Sequence, residues 1–260
     1  MKIAITGKGG VGKTTFAGTM ARIMAADGYQ VLAVDADPDA NLAAVLGVSP
    51  EKAASIVPIA EMKDLIAERT GAQPGTMGGF FKVNPRVHDI PEEFSLSLDG
   101  IRLMVMGTVK EGSGGCVCPE SVLLRSLIKH LLVHRKEAVL LDMEAGIEHL
   151  GRGTAEGVDA MIVIVEPGAR SARTAGSIKK LAQDIGIKNL FVVLNKMEDQ
   201  SIEPLEKLLE GYEILGRLPY SPGVMQADLE EKSPYDTAPD YVEAVRAIVK
   251  TLENRVGVSE

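Results

Sequence analysis

Gly7-Lys8-Gly9-Gly10-Val11-Gly12-Lys13-Thr14-Thr15 contains a complete G-x-x-x-x-G-K-T phosphate loop, with an extra lysine at its second position. Lys2–Thr6 ahead of it reads as a buried strand. Thr15–Ala26 behind it repeats Phe16, Met20, Ile23 and Met24 at helical spacing, and strand, loop, helix is the order that gives the motif its meaning. Glycines turn successive backbone N–H groups inward so that, with the helix N-terminus, they surround a polyphosphate. In this reading Gly7, Gly9, Gly10, Val11, Gly12 and Thr15 supply the cradle, Lys13 neutralises the β/γ oxygens, and the Thr14 hydroxyl reaches Mg²⁺. Lys8 sits on a flexible stem at the tip of a loop that Lys13 already serves, so its charge is either solvated or directed at the phosphates of another subunit.

Beyond the loop, apolar β-branched runs alternate with helical patterns: Val31–Asp35, Ile101–Met106, Ala138–Asp142, Ala160–Val165, Leu190–Leu194 and Tyr212–Leu218 read as strands. Such alternation predicts a doubly wound α/β fold, a mostly parallel sheet with helices on both faces. Residues 1–260 are expected to form one domain, with 48–100 either an insertion beside the nucleotide edge or a surface loop. That segment offers a helix at Ala60–Arg69 and then a Gly-, Pro- and Asn-rich stretch, Thr70–Pro91.

Strands ending in Asp35, Asp142 and Asn195 place polar groups at the carboxyl edge of the sheet, where folds of this kind bind ligands. Ala138–Asp142 is a hydrophobic strand closed by an acid, the form that holds Mg²⁺ through water, and Gly146 lets the backbone approach a γ-phosphate. Asp35 and Asp37 form an Asp-x-Asp pair at the same edge; their carboxylates either approach the cation and γ-phosphate or cap a helix beginning near Asp39. Asn195 carries both a donor and an acceptor for a base edge, and is equally an ordinary turn former.

Cys116 and Cys118 are the two cysteines of the chain. Residues i and i+2 of an extended segment project to one side, so both sulfurs can face one metal ion, and Pro119 suits the first turn of a helix through Ser121–Ile128 whose N-terminus favours thiolates. Two thiolates are half of a closed Zn²⁺ or square-planar Ni²⁺ shell, which a second copy of the chain would complete; a redox pair is the rival. His130 and His134 fall in the last turns of the same helix, where they complement its dipole and are expected to stay solvated. His149 is left open.

With 260 residues, 45% of them hydrophobic, the chain can bury one substantial core. A net charge of −8 disfavours an extended nucleic-acid footprint, and zero Trp with 4% aromatics leaves little for base stacking. No run approaches the roughly 18 apolar residues of a spanning helix, and Met1-Lys2 leads straight into the first strand without a secretory leader. The expectation is a cytoplasmic protein that binds neither membrane nor nucleic acid.

The segment Gly7–Thr15 resembles the deviant phosphate loop of the MinD/ParA and nitrogenase iron-protein class of ATPases. That resemblance implies ATP and ADP as ligands and a homodimer in which Lys8 crosses to the partner's nucleotide. It assigns Asp37 to orienting or activating water, Asp35 to the outer shell of the metal, and Asn195, Lys196, Leu218 and Pro219 to adenine. Catalysis would then rest on Lys8, Lys13 and Asp37. Met143-Glu144 depart from the D-T-P-P-G form common in the class. Together with Glu144–Gly157 (EAGIEHLGRGTAEG) and Cys116-Val117-Cys118, the whole chain resembles the CooC family, nickel-insertion ATPases that mature carbon monoxide dehydrogenase. By resemblance, ATP and metal promote the dimer, Cys116 and Cys118 of both copies bind Ni²⁺, with Zn²⁺ as the other candidate, and the apo-dehydrogenase is the client. A partition or cell-division ATPase would need a basic surface or a terminal amphipathic helix, for which Glu253–Glu260 is short and weakly amphipathic. An electron-transferring iron protein would need two well-separated cysteines.

Overall fold

Four largely apolar, buried strands form the middle of the molecule, and helices cover them from both sides. A computed structural model describes residues 1–37, 39–74, 80–107, 118–131, 136–144, 158–198 and 203–257. Within them the strands are β1 (Lys2–Gly7), β2 (Gln30–Ala36), β3 (Leu96–Leu98), β4 (Ile101–Val105), β5 (Glu137–Met143), β6 (Ala160–Val165), β7 (Leu190–Met197) and β8 (Glu213–Pro219). They make one eight-stranded sheet in the order β3-β4-β2-β5-β1-β6-β7-β8. Every pairing is parallel except β3 with β4. The doubly wound, mostly parallel α/β sheet read from the sequence is therefore the fold observed.

Among the described residues the α-helices are α1 (Lys13–Ala26), α2 (Leu42–Val45), α3 (Pro50–Ala54), α4 (Lys63–Thr70), α5 (Ile90–Glu93), α6 (Pro119–His130), α7 (Ala169–Ile185), α8 (Glu203–Leu208), α9 (Pro222–Leu229), α10 (Pro234–Thr237) and α11 (Pro239–Val256). Alternate residues of each strand serve opposite faces. Ile3 and Ile5 join Phe16, Met20, Ile23 and Met24 of α1 and Val245, Ile248 and Leu252 of α11 in one apolar cluster. Ala4 turns to the other, with Leu123 and Leu127 of α6 and Ala175 and Ile178 of α7. Burial on both faces explains why these strands read as continuous apolar runs.

Parts of the 48–100 segment pack into the core. Leu65 and Ile66 of α4, Val87 and Ile90 are buried in the same cluster as α6. The segment then returns as β3 to pair antiparallel with β4 at the sheet edge. Sequence patterning overlooked β3 because its three residues are only partly covered and carry no continuous apolar run.

Candidate active site

β1 delivers the phosphate loop at the carboxyl edge of the sheet, between β5 and β6. Two glycines there are dictated by their neighbours. At Gly7, φ is 150° and a Cβ would stand 2.5 Å from the Ile164 carbonyl oxygen; at Gly12, φ is 91° and a Cβ would stand 2.4 Å from Asn195 Nδ2. Gly12 opens α1 without any side-chain hydrogen bond to cap it. The first N–H groups of a helix need acceptors, and a polyphosphate meets both that need and the positive end of the helix dipole. Lys13 is buried beside this turn.

Asp35 and Asp142 are brought face to face by register. They are direct partners across the parallel β2–β5 pair, so both acids sit at the same height on adjacent strands. Asp35 is 1% exposed and Asp142 0%. Asp35 Oδ1 accepts the Asp37 N–H (3.2 Å) and Oδ2 the Leu42 N–H (2.9 Å), so it holds the 35–42 turn and caps α2 from a neighbouring strand. Burial, partly offset by these N–H groups, raises its pKa to about 6. Asp142 differs: neither carboxylate oxygen has a hydrogen-bond partner of ordinary geometry. Burial drives its pKa to about 7, with the Thr14 hydroxyl and Lys13 opposing and Asp35 and Asp37 adding to the rise.

An uncompensated buried carboxylate is costly, and a hard cation beside a phosphate loop resolves the cost. Among the described residues no three His, Cys, Asp or Glu side chains form an all-protein metal cage. That suits Mg²⁺, which is held by one or two carboxylates together with phosphate and water. Asp142 and Thr14 could hold it, with Asp35 on the adjacent strand. When bound, Mg²⁺ neutralises charge developing on the phosphate oxygens.

Lys13 Nζ lies 3.6 Å from Asp37 Oδ2. Asp37 Oδ1 accepts the Asp39 N–H (3.1 Å), which sets the turn that aims the carboxylate at the phosphate loop. Substituting each in turn should separate binding from turnover. Lys13→Ala removes the buried counter-charge for phosphate and should weaken ATP binding by about 10²-fold. Asp37→Ala should leave affinity within a few-fold while slowing hydrolysis by about 10²-fold. Calorimetric titration and phosphate release measure the two; wild-type turnover in Asp37→Ala would remove Asp37 from the catalytic set.

The adenine candidates are placed less simply. Asn195 is 4% exposed and its Nδ2 donates to the Val11 carbonyl (2.7 Å), clamping β7 to the phosphate loop. Lys196, at φ 58°, donates to the Gly10 carbonyl (2.6 Å) and pairs with Glu166 Oε2 (3.1 Å). Leu218 is 0% exposed, which leaves its backbone rather than its side chain for a ligand, and Pro219 ends β8 next to it. A cavity of about 540 Å³ opens alongside, lined by Glu166, Lys196, Met197, Leu205, Leu208 and Tyr220 among others. Lys8 is partly exposed to solvent and also paired: its Nζ lies 3.4 Å from Glu166 Oε1.

Two site residues escaped the sequence reading. Glu166 directly follows the buried strand β6, the same signal that singled out Asp35 and Asp142. Thr6, inside β1, donates its hydroxyl to the Glu144 carbonyl (2.7 Å) and so ties the phosphate-loop strand to the segment after β5; nothing in the sequence marks it. Cys118 is the N-cap of α6, its Sγ accepting the Ser121 N–H (3.4 Å) and lying 3.1 Å from Ser121 Oγ, with Pro119 in the first turn as expected. His130 is tied to its own helix, Nδ1 lying 2.8 Å from the Ser126 carbonyl. Cys116, His134, Gly146 and His149 lie outside the described residues.

The family model for the CobQ/CobB/MinD/ParA nucleotide binding domain matches residues 2–235. This chain belongs to that family. The chain is 46% identical over 261 residues to the carbon monoxide dehydrogenase accessory protein CooC of Rhodospirillum rubrum, covering 100% of this chain and 99% of that protein. It is also 49% identical over 231 residues, 88% of each chain, to an uncharacterized ATP-binding protein of Methanocaldococcus jannaschii. A ParA family ATPase from Chlorobium tepidum superposes with a TM-score of 0.68 at 18% identity, covering 96% of this chain and 97% of that one. The septum site-determining protein MinD complexed with Mg-ADP from Pyrococcus horikoshii does so with 0.67 at 18% identity, covering 99% and 97%. At such identity the two structures bear on fold alone. Within the CobQ/CobB/MinD/ParA family the chain is a CooC-like P-loop ATPase, as its resemblance implied. No helix among the described residues is long and apolar enough to cross a membrane.

Proposed function

We propose that this protein is a Mg·ATP-dependent homodimeric ATPase that carries nickel and assists its insertion into carbon monoxide dehydrogenase. The observation that carries the reading is similarity to CooC over the entire length, in a chain whose phosphate loop, Asp35, Asp37 and Asp142 converge on one edge of the sheet. Nickel is the cargo. Cys116 and Cys118 of each copy supply the thiolates, and two copies close the shell. Lys8 serves the partner's nucleotide, so the triphosphate state draws two copies together and the diphosphate state releases them. Metal affinity follows the nucleotide only because the two states differ in interface contacts. A partition ATPase is disfavoured by the net charge of −8 and by the Cys-x-Cys sequence, whose second cysteine, Cys118, starts a helix.

Activation of nickel-free carbon monoxide dehydrogenase tests this. Incubated with Ni²⁺, ATP and this protein, the apo-dehydrogenase should gain activity at nickel concentrations at least about tenfold below those needed without it. The Lys13→Ala variant should give no such gain. Equal activation with and without this protein would leave an ATPase whose client lies elsewhere, and equal activation by it with and without ATP would remove the ATP dependence.

A further inference from the structure

Glu166 binds two lysines, Lys8 of the phosphate loop and Lys196 near the end of β7. Its Oε1 lies 3.4 Å from Lys8 Nζ and its Oε2 3.1 Å from Lys196 Nζ, and Lys196 also donates to the Gly10 carbonyl at 2.6 Å. The backbone that carries the carboxylate is anchored: the Glu166 N–H donates to Ser171 Oγ (3.2 Å) in the first turn of α7. The two arms are unequal. The two lysine side chains are about equally exposed, 39% and 41%, but Lys196 has a second acceptor in the Gly10 carbonyl, whereas Lys8 has the longer contact to Glu166. The arm built to open is therefore Lys8.

We propose that Glu166 is a positioning residue that latches Lys8 in cis and sets the threshold for nucleotide-driven dimerisation. The proposal rests on the reading that Lys8 serves the partner's nucleotide. To reach it, Lys8 must leave Glu166, so each protomer loses one ion pair as the dimer forms. A triphosphate offers more negative charge and more acceptor oxygens than one carboxylate and wins the exchange; a diphosphate wins it less well. Glu166 thus sharpens discrimination between the two nucleotide states without touching the protomer's own phosphates. Because a two-fold interface repeats every contact, two latches open per dimer. An exposed pair is worth a few-fold in an equilibrium constant, so removing both should change dimerisation by about tenfold.

Sedimentation of full-length protein with a non-hydrolysable ATP analogue, and separately with ADP, tests the latch. Glu166→Gln should dimerise at about tenfold lower protein concentration with the analogue and show dimer with ADP, midpoints being compared at nucleotide concentrations that saturate each monomer. Raising salt to about 0.5 M should shrink the gap from wild type, because exposed pairs are screened. Glu166→Asp, one methylene shorter, should move the midpoint in the same direction by less, and serves in place of Glu166→Gln should that variant fail to fold. Lys8→Ala should lose the nucleotide-dependent dimer; normal dimerisation in Lys8→Ala overturns the underlying reading of Lys8 across the interface. Loss of the dimer in Lys8→Ala, together with an unchanged midpoint in Glu166→Gln, overturns the latch alone. A gain that persists in the Lys8→Ala/Glu166→Gln double variant also overturns it, because the effect would then not pass through Lys8.

Discussion

Asp142→Asn should stabilise the nucleotide-free protein at pH 8 and, in the same molecule, remove Mg²⁺-supported hydrolysis. Asp142 is 0% exposed, and neither of its oxygens has a hydrogen-bond partner of ordinary geometry. Its pKa rises from the ordinary 3.8 to about 7, chiefly through burial. Between those values the folded chain binds more protons than the unfolded one, so this group's contribution to stability is greatest below about pH 4 and is lost as pH climbs through about 7. Asparagine is neutral throughout. The variant should match wild type near pH 4 and exceed it above pH 7.5 by a few kcal/mol, on the order of 1.4 for each tenfold change in proton affinity. Thermal unfolding from pH 4 to pH 8 reads this as a flatter profile. Some slope should survive, because Asp35, at about 6, titrates in the same sense. If Asp142 holds Mg²⁺ as proposed, the same substitution should cost at least about 10²-fold in hydrolysis. In wild-type protein Mg·ADP affinity should rise from pH 6 to pH 8 as the competing proton leaves. Equal stability of the two proteins at pH 8 would show that the Asp142 charge is compensated.

Nickel or zinc should bind in the ratio of one ion to two chains. Each chain offers two thiolates, and a closed soft site takes about four donors. Cys116→Ser or Cys118→Ser should abolish tight binding and metal-induced dimerisation while leaving ATP affinity unchanged. Cys118 makes the experiment clean. It is the N-cap of α6, with its sulfur accepting the Ser121 N–H, and serine is among the better N-cap residues. Cys118→Ser therefore keeps the helix start intact, and loss of metal cannot be put down to loss of fold. Affinity should also fall with pH as protons take the thiolates. Metal analysis of gel-filtered protein gives the stoichiometry. One ion held per monomer, or undiminished affinity in the double serine variant, would replace the shared site with one involving His134, His149 or the free nitrogen of His130.

Local patterns were enough to reveal the phosphate loop and seven of the eight strands, because a parallel strand buried on both faces must be apolar along its whole length and Ala160–Val165 or Ala138–Asp142 has no other way to read. The same holds for α1, whose apolar positions recur with the helical period, and for the acids that end β2 and β5. Strand order lay beyond such patterns. Asp35 faces Asp142 only because β2 and β5 pair in one particular register, and a register is a choice among long-range contacts that neither strand encodes alone. Lys8 illustrates the point most directly: composition and spacing left it solvated or reaching outward, and a carboxylate 158 residues further along the chain captured it. β3 and the buried face of α4 were likewise hidden, since Leu65 and Ile66 become core residues only once α6 is packed against them. What the chain determined by itself was the strongly patterned elements and the chemistry they carry; tertiary structure decided which charges meet, because Coulomb and hydrogen-bond energies depend on distances in space and not on separation along the chain.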